Sequence, residues 1–182
     1  MRVKFAALAA VLGFGLVASA DDPPARYVSK EGGYSVQFPT GAAVTTKNQD
    51  APGGLKAVIT QAVLKAERAT YIVTHTPFPK GALKRTAKAV LDAGEKATLM
   101  PPGTQKITTK DFTLGKDKFP VREILSDRDG NQTRTRFIVA DPVLYTLVVG
   151  GPMEFASGKE ALDFLDSFEI TPPGKAKAKP KS

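Results

Sequence analysis

The chain has no cysteine and a single histidine, His75, among its 182 residues. Without cysteine there are no disulfide staples, no thiol catalysis and no thiolate-ligated metals. With His75 alone, a histidine-based metal site would need carboxylates for every other ligand, and a serine–histidine triad would have to run through this one residue. No G-x-S-x-G elbow accompanies it. On the β-branched run Tyr71 to Thr76 it reads as a structural or surface histidine. Gly53-Gly54 and Gly150-Gly151 lack phosphate-loop spacing and a partner lysine, so they read as turns. Asp127, Asp129 and Asn131 start like a calcium loop, but Gln132 and Ile138 stand where that loop needs glycine and glutamate. No cofactor or metal is expected.

Long apolar runs are also scarce. The one present, Phe5 to Val17, follows Arg2 and Lys4 and ends at Ala18-Ser19-Ala20. A short positive region, an apolar stretch and a small-residue site form a secretory signal peptide, which predicts cleavage after Ala20 and a periplasmic or secreted protein. No cysteine follows the run, so no lipid anchor is expected, and no other stretch has the length of a membrane span. The chain divides into a signal peptide (1–20), a linker (21–25), one domain (26–171) and a tail (172–182).

Charge is unevenly placed. The formal net charge is +8, but Arg2 and Lys4 belong to the leader, and Lys175, Lys177, Lys179 and Lys181 crowd into the tail. The body between them is nearly balanced, so a specific nucleic-acid groove is not expected. The tail alternates lysine with alanine after Pro172-Pro173-Gly174, a composition that predicts disorder. Its lysines are candidates for an electrostatic tether to an anionic surface or polymer.

Within the body, apolar periodicity alternates between two and 3.6 residues. Arg26 to Lys30 and Tyr34 to Phe38 read as strands joined at Gly32-Gly33. Ala42 to Thr46 is a further strand and Asn48 to Gly54 a loop. Leu55 to Ala66 fits helix or strand, with Val58, Ile59 and Thr60 favouring strand, and Thr70 to Thr76 is a β-branched strand. Leu83, Ala87, Val90 and Leu91 share one helical face over 81–94, with Gly94 placed as a C-cap. Asp129-Gly130 between 118–125 and 133–140 is a hairpin signal, and Leu144 to Val149 is apolar enough for a central strand. Ser157 and Glu160 are spaced as a capping box for a helix that directs Ala161, Leu162 and Leu165 inward, before Phe168 and Ile170 continue in extended form. Hairpin-linked strands with segregated helices define an α+β fold, an antiparallel sheet packed by a few helices.

The opening Gly32-Gly-Tyr-Ser-Val-Gln-Phe-Pro39, Tyr145 on an apolar strand, and the closing Phe164-Leu-Asp-Ser-Phe168 together resemble the PsbP-like α/β/α sandwich family over roughly residues 26–171. Members of that family are mostly binding or assembly factors rather than enzymes. With the leader, the resemblance implies an exported, non-catalytic binding or assembly module that interacts with a protein or other envelope partner. It supplies no shared set of functional residues, and this chain lacks the lipidation cysteine of bacterial lipoprotein members. From the residues themselves, Arg122, Arg134 and Arg136 flank one hairpin and form a candidate anion or partner patch. The alternatives are a hydrolase working through paired carboxylates, and an envelope-associated protein held by its tail.

Overall fold

The computed structural model describes residues 26–51, 54–64, 68–83 and 86–171. The expected signal peptide, the linker and the tail lysines Lys175, Lys177, Lys179 and Lys181 lie outside the described residues.

The elements run β1 (Arg26–Ser29), β2 (Tyr34–Gln37), β3 (Ala43–Ala51), β4 (Leu55–Leu64), β5 (Ala69–Pro77), α1 (Ala87–Leu99), β6 (Gln105–Leu114), β7 (Phe119–Arg128), β8 (Asn131–Ala140), β9 (Val143–Pro152), α2 (Lys159–Asp166) and β10 (Glu169–Ile170). Seven strands form one antiparallel sheet in the order β3-β4-β5-β9-β8-β7-β6, and a small sheet has the order β1-β2-β10. The fold class is therefore α+β, as the hairpin spacing implies. The apolar run in β9 occupies the fourth and central position of the seven, with Tyr145, Leu147 and Val149 buried on one face and Leu144, Thr146 and Val148 half-buried on the other.

Each face of the large sheet has its own cover. On one, α1 packs Leu91 against Ile124, Phe137 and Val139, with Leu83 beside them. On the other, the small sheet and α2 pack Tyr34, Phe38, Phe164 and Phe168 against Tyr71 and Tyr145. Burying each such aliphatic or aromatic side chain stabilises by about 1.5–3 kcal/mol, so both covers are held chiefly by apolar area. Between β7 and β8, Asp129 and Gly130 both take positive φ, at 54° and 76°. That is the type I′ turn whose twist suits a two-residue hairpin.

Four local expectations need correction. Strand β3 continues through Asn48, Gln49 and Asp50, where turn-forming composition predicted a loop, because pairing with β4 runs unbroken to Ala51↔Leu55. Gly150 and Gly151 lie within β9 rather than in a turn; a Cβ at Gly151 would stand 2.7 Å from the Phe155 ring. Helix α1 starts later and ends later than its apolar face suggested. The Asp141 carboxylate accepts from the Gly81 and Leu83 backbone N–H groups and holds that stretch as turns. Gly94 is then an interior residue, placed where a Cβ would stand 3.0 Å from the Phe137 ring. Finally, Ser157 does not cap α2. It sits in a 3-10 turn (Phe155–Ser157), the N-cap is Gly158, and no side chain caps the helix. As a result Phe164 is buried with Ala161 and Leu165, while Leu162 is only half-buried.

Candidate functional site

Arg122, Arg134 and Arg136 do not share a face. In the β7–β8 register Glu123 stands opposite Arg136 and Leu125 opposite Arg134, while Arg122 stands opposite Phe137. Directly opposed residues point to one side of a sheet and neighbours to the other. Arg122 therefore faces α1, and Arg134 and Arg136 face α2.

All three are nearly enclosed, with 8%, 9% and 5% of their surface exposed. Arg122 grips Asp111 of the edge strand β6 with two hydrogen bonds (2.7 and 2.8 Å) and reaches Asp92 (2.7 Å) and Glu95 (3.0 Å) on α1. Lys88 and Lys106 complete the pairing of Asp92 and Glu95. The Arg122 guanidinium holds the Asp111 carboxyl below its usual range. Lys88 first and Arg122 second do the same for Asp92. On the opposite face, Glu123 lies between Arg134 (2.6 Å) and Arg136 (2.6 and 2.9 Å). Arg134 also donates to the Ala156 carbonyl, and Arg136 to the Leu165 carbonyl and Asp166. Burial alone would raise the Glu123 pKa, but Arg136 and then Arg134 outweigh it and hold the carboxyl below its ordinary value. These guanidinium groups are occupied by internal partners and tie the helices to the sheet. They do not form an open cationic patch.

A concavity of ligand size lies elsewhere. A cleft of ≈ 540 Å³ is lined by Glu31, Asn48, Asp50, Lys56, Val58 and His75, with Gln49 and Pro77 at its margin. Registers explain its position: Asn48, Val58, His75 and Tyr145 form one cross-strand row over β3, β4, β5 and β9. The small sheet covers the Tyr145 end of this row, where the Tyr145 hydroxyl donates to the Gly32 carbonyl at 2.8 Å. Toward β3 the row emerges from beneath that cover, and the step becomes the cleft. Burial pushes the pKa values of Tyr145 and Tyr34 up to about 12, so both phenols are neutral donors here; that of Tyr34 meets Thr60 at 2.9 Å.

His75 is 5% exposed, and its Nδ1 is buried with no hydrogen-bond partner among the described residues. Burial lowers its pKa, with Glu31 opposing, so the ring is neutral at neutral pH. An unpartnered buried lone pair is tolerated better than an unpartnered buried N–H. The proton is therefore assigned to Nε2. Lys56 pairs with Asp50 across the mouth, and Glu31 has no ion-pair partner among the described residues. Sequence reasoning identified His75 but not this group, because Glu31, Asp50 and Lys56 come from a turn and two strands with no motif linking them.

Solved structures place this architecture. The solution structure of cyanobacterial PsbP from a Synechocystis species matches with a TM-score of 0.55 at 16% identity, covering 86% of this chain and 98% of that one. The chain has a PsbP-like fold. A Pseudomonas aeruginosa protein of unknown function matches the PsbP-like domain more loosely, at a TM-score of 0.40 and 13% identity over 78% of this chain and 95% of that one. No family model and no curated protein matches the chain in sequence. Among the described residues, no helix of the domain is long and apolar enough to cross a membrane.

Proposed function

We propose that this PsbP-like domain is an exported, non-catalytic module that binds a protein partner through the His75 cleft and the adjoining free edge of β3. One observation carries the reading. The cleft presents an amide (Asn48), both signs of charge (Glu31, Asp50, Lys56) and the His75 ring beside a nine-residue strand that has one neighbour among the described residues. A free strand edge offers main-chain hydrogen bonds to an extended segment, and an adjacent pocket selects its side chains.

A second reading, carboxylate-based hydrolysis, draws on Glu31 and Asp50 lining the same cleft. Against it, the Asp50 side chain is 81% exposed and paired with Lys56, and neither carboxylate sits in a water-excluded pocket suited to acid catalysis. The test is native co-purification of the tagged full-length protein from envelope extracts, beside the variant Glu31→Ala/Asn48→Ala. The binding reading expects a stoichiometric partner recovered by the parent and lost by the variant. Equal recovery by both, or no stoichiometric partner with either, overturns it.

A further inference from the structure

The described residues end at Thr171, beside the turn that carries Glu31. Strand β10 runs antiparallel to β2, pairing Glu169↔Ser35 and Ile170↔Tyr34, and the next residue, Thr171, donates its N–H to the Gly33 carbonyl at 2.8 Å. Gly33 is two residues from Glu31 in the same turn, and a Cβ on Gly32 would lie 2.8 Å from His75 Nδ1. Thr171, the Glu31 carboxylate and the buried imidazole thus belong to one small neighbourhood. The segment that follows is the most cationic in the chain, with Lys175, Lys177, Lys179 and Lys181.

We propose that these lysines dock back into the cleft of their own chain, ammonium groups on Glu31 and Asp50, so that the tail occupies the surface a partner must take. Reach is sufficient. At about 3.3–3.6 Å per extended residue, Lys175 extends up to about 13 Å from Thr171 and Lys177 to about 20 Å. Charge is complementary, because the cleft holds two carboxylates against the single cation Lys56. Linkage strengthens a weak contact: a short tether sets an effective concentration in the millimolar range, so even a site of about millimolar affinity is half-filled. The contact is screened by salt, since the carboxylates stand at the protein surface. This inference goes beyond the binding reading and is measured without any partner.

The absence of cysteine makes the test clean. A nitroxide on Ala178→Cys would be the single label in an otherwise complete ¹⁵N-labelled chain. At about 20 mM salt the amide signals of Asn48, Gln49, Lys56 and Val58 should lose at least about half their intensity, and recover at about 500 mM. Glu31→Gln, a change in an exposed turn, should restore them at low salt. So should serine at Lys175, Lys177, Lys179 and Lys181. Broadening that persists through the charge changes or high salt would overturn docking, as would its absence at low salt. A mixture of unlabelled-spin ¹⁵N chains with spin-labelled ¹⁴N chains separates the occupants: broadening there would place the tail in a second copy and overturn the intramolecular contact.

Discussion

Replacing Glu123 by glutamine removes the anion lodged between two buried guanidinium groups. Arg134 would keep the Ala156 carbonyl, and Arg136 would keep the Leu165 carbonyl and Asp166, whose side chain is 69% exposed. Removing one partner of a buried ion pair typically costs about 3–5 kcal/mol, and the surviving contacts place this case at the lower end, about 3 kcal/mol. Urea unfolding at neutral pH reads it directly. With a slope of about 2 kcal/mol per molar, the midpoint should fall by about 1.5 M. The combined variant Glu123→Leu/Arg134→Met/Arg136→Met removes charge and partner together, and should recover most of that loss because buried ion pairs are often close to neutral against apolar replacements. Acid gives a second reading. The folded pKa of Glu123 lies below its ordinary 4.5, so its contribution is complete above pH 4.5 and is lost as pH falls through the lower folded value. The gap between parent and Glu123→Gln should therefore close below pH 4.5. A Glu123→Gln midpoint within about 0.3 M of the parent would refute the idea that this carboxylate holds α2 to the sheet.

Two further outcomes follow from the packing. His75 has its folded pKa below 6.5, so above that pH both folded and unfolded states carry the neutral ring, and below it the unfolded chain takes up the proton first. Stability should decline as pH drops below 6.5, and His75→Gln should remove that part of the slope in a pH series of thermal melts; an unchanged slope would assign the decline to other groups. Gly94→Ala gains about 1 kcal/mol of helix propensity but forces a Cβ to within 3.0 Å of the Phe137 ring, an overpacking cost of about 1–3 kcal/mol. A net loss of about 1 kcal/mol is expected in urea unfolding, relieved when Phe137→Leu is added; a more stable Gly94→Ala would show that the ring moves aside freely.

The strands, the hairpin at Asp129-Gly130 and the central position of β9 were legible because apolar periodicity reports which faces are covered. Helix limits were less so: Gly94 is a stop signal in isolation, yet the ring of Phe137 gives a glycine a reason to lie mid-helix. Ser157 had the right spacing for a cap, but spacing does not show that Gly158 takes the cap conformation instead. The arginines were singled out correctly as unusual and misplaced in role. Which face a strand residue occupies follows from register, and the carboxylates that meet Arg122 come from α1 and β6, remote in the chain. The cleft was illegible for the same reason, since its lining is assembled from a turn, an edge strand and two inner strands.

Arg122 and Glu123 are consecutive on β7 yet serve opposite faces, a cation among Asp92, Glu95 and Asp111 and an anion between Arg134 and Arg136. A one-residue slip of β7 would turn both to the opposite face, because slippage reverses every side chain of a strand. A slip one way carries Glu123 into the place of Arg122, facing Asp92, Glu95 and Asp111; a slip the other way carries Arg122 into the place of Glu123, facing Arg134 and Arg136. Two adjacent letters of the sequence thus act as a checksum on strand alignment, each penalising a slip in one of the two directions.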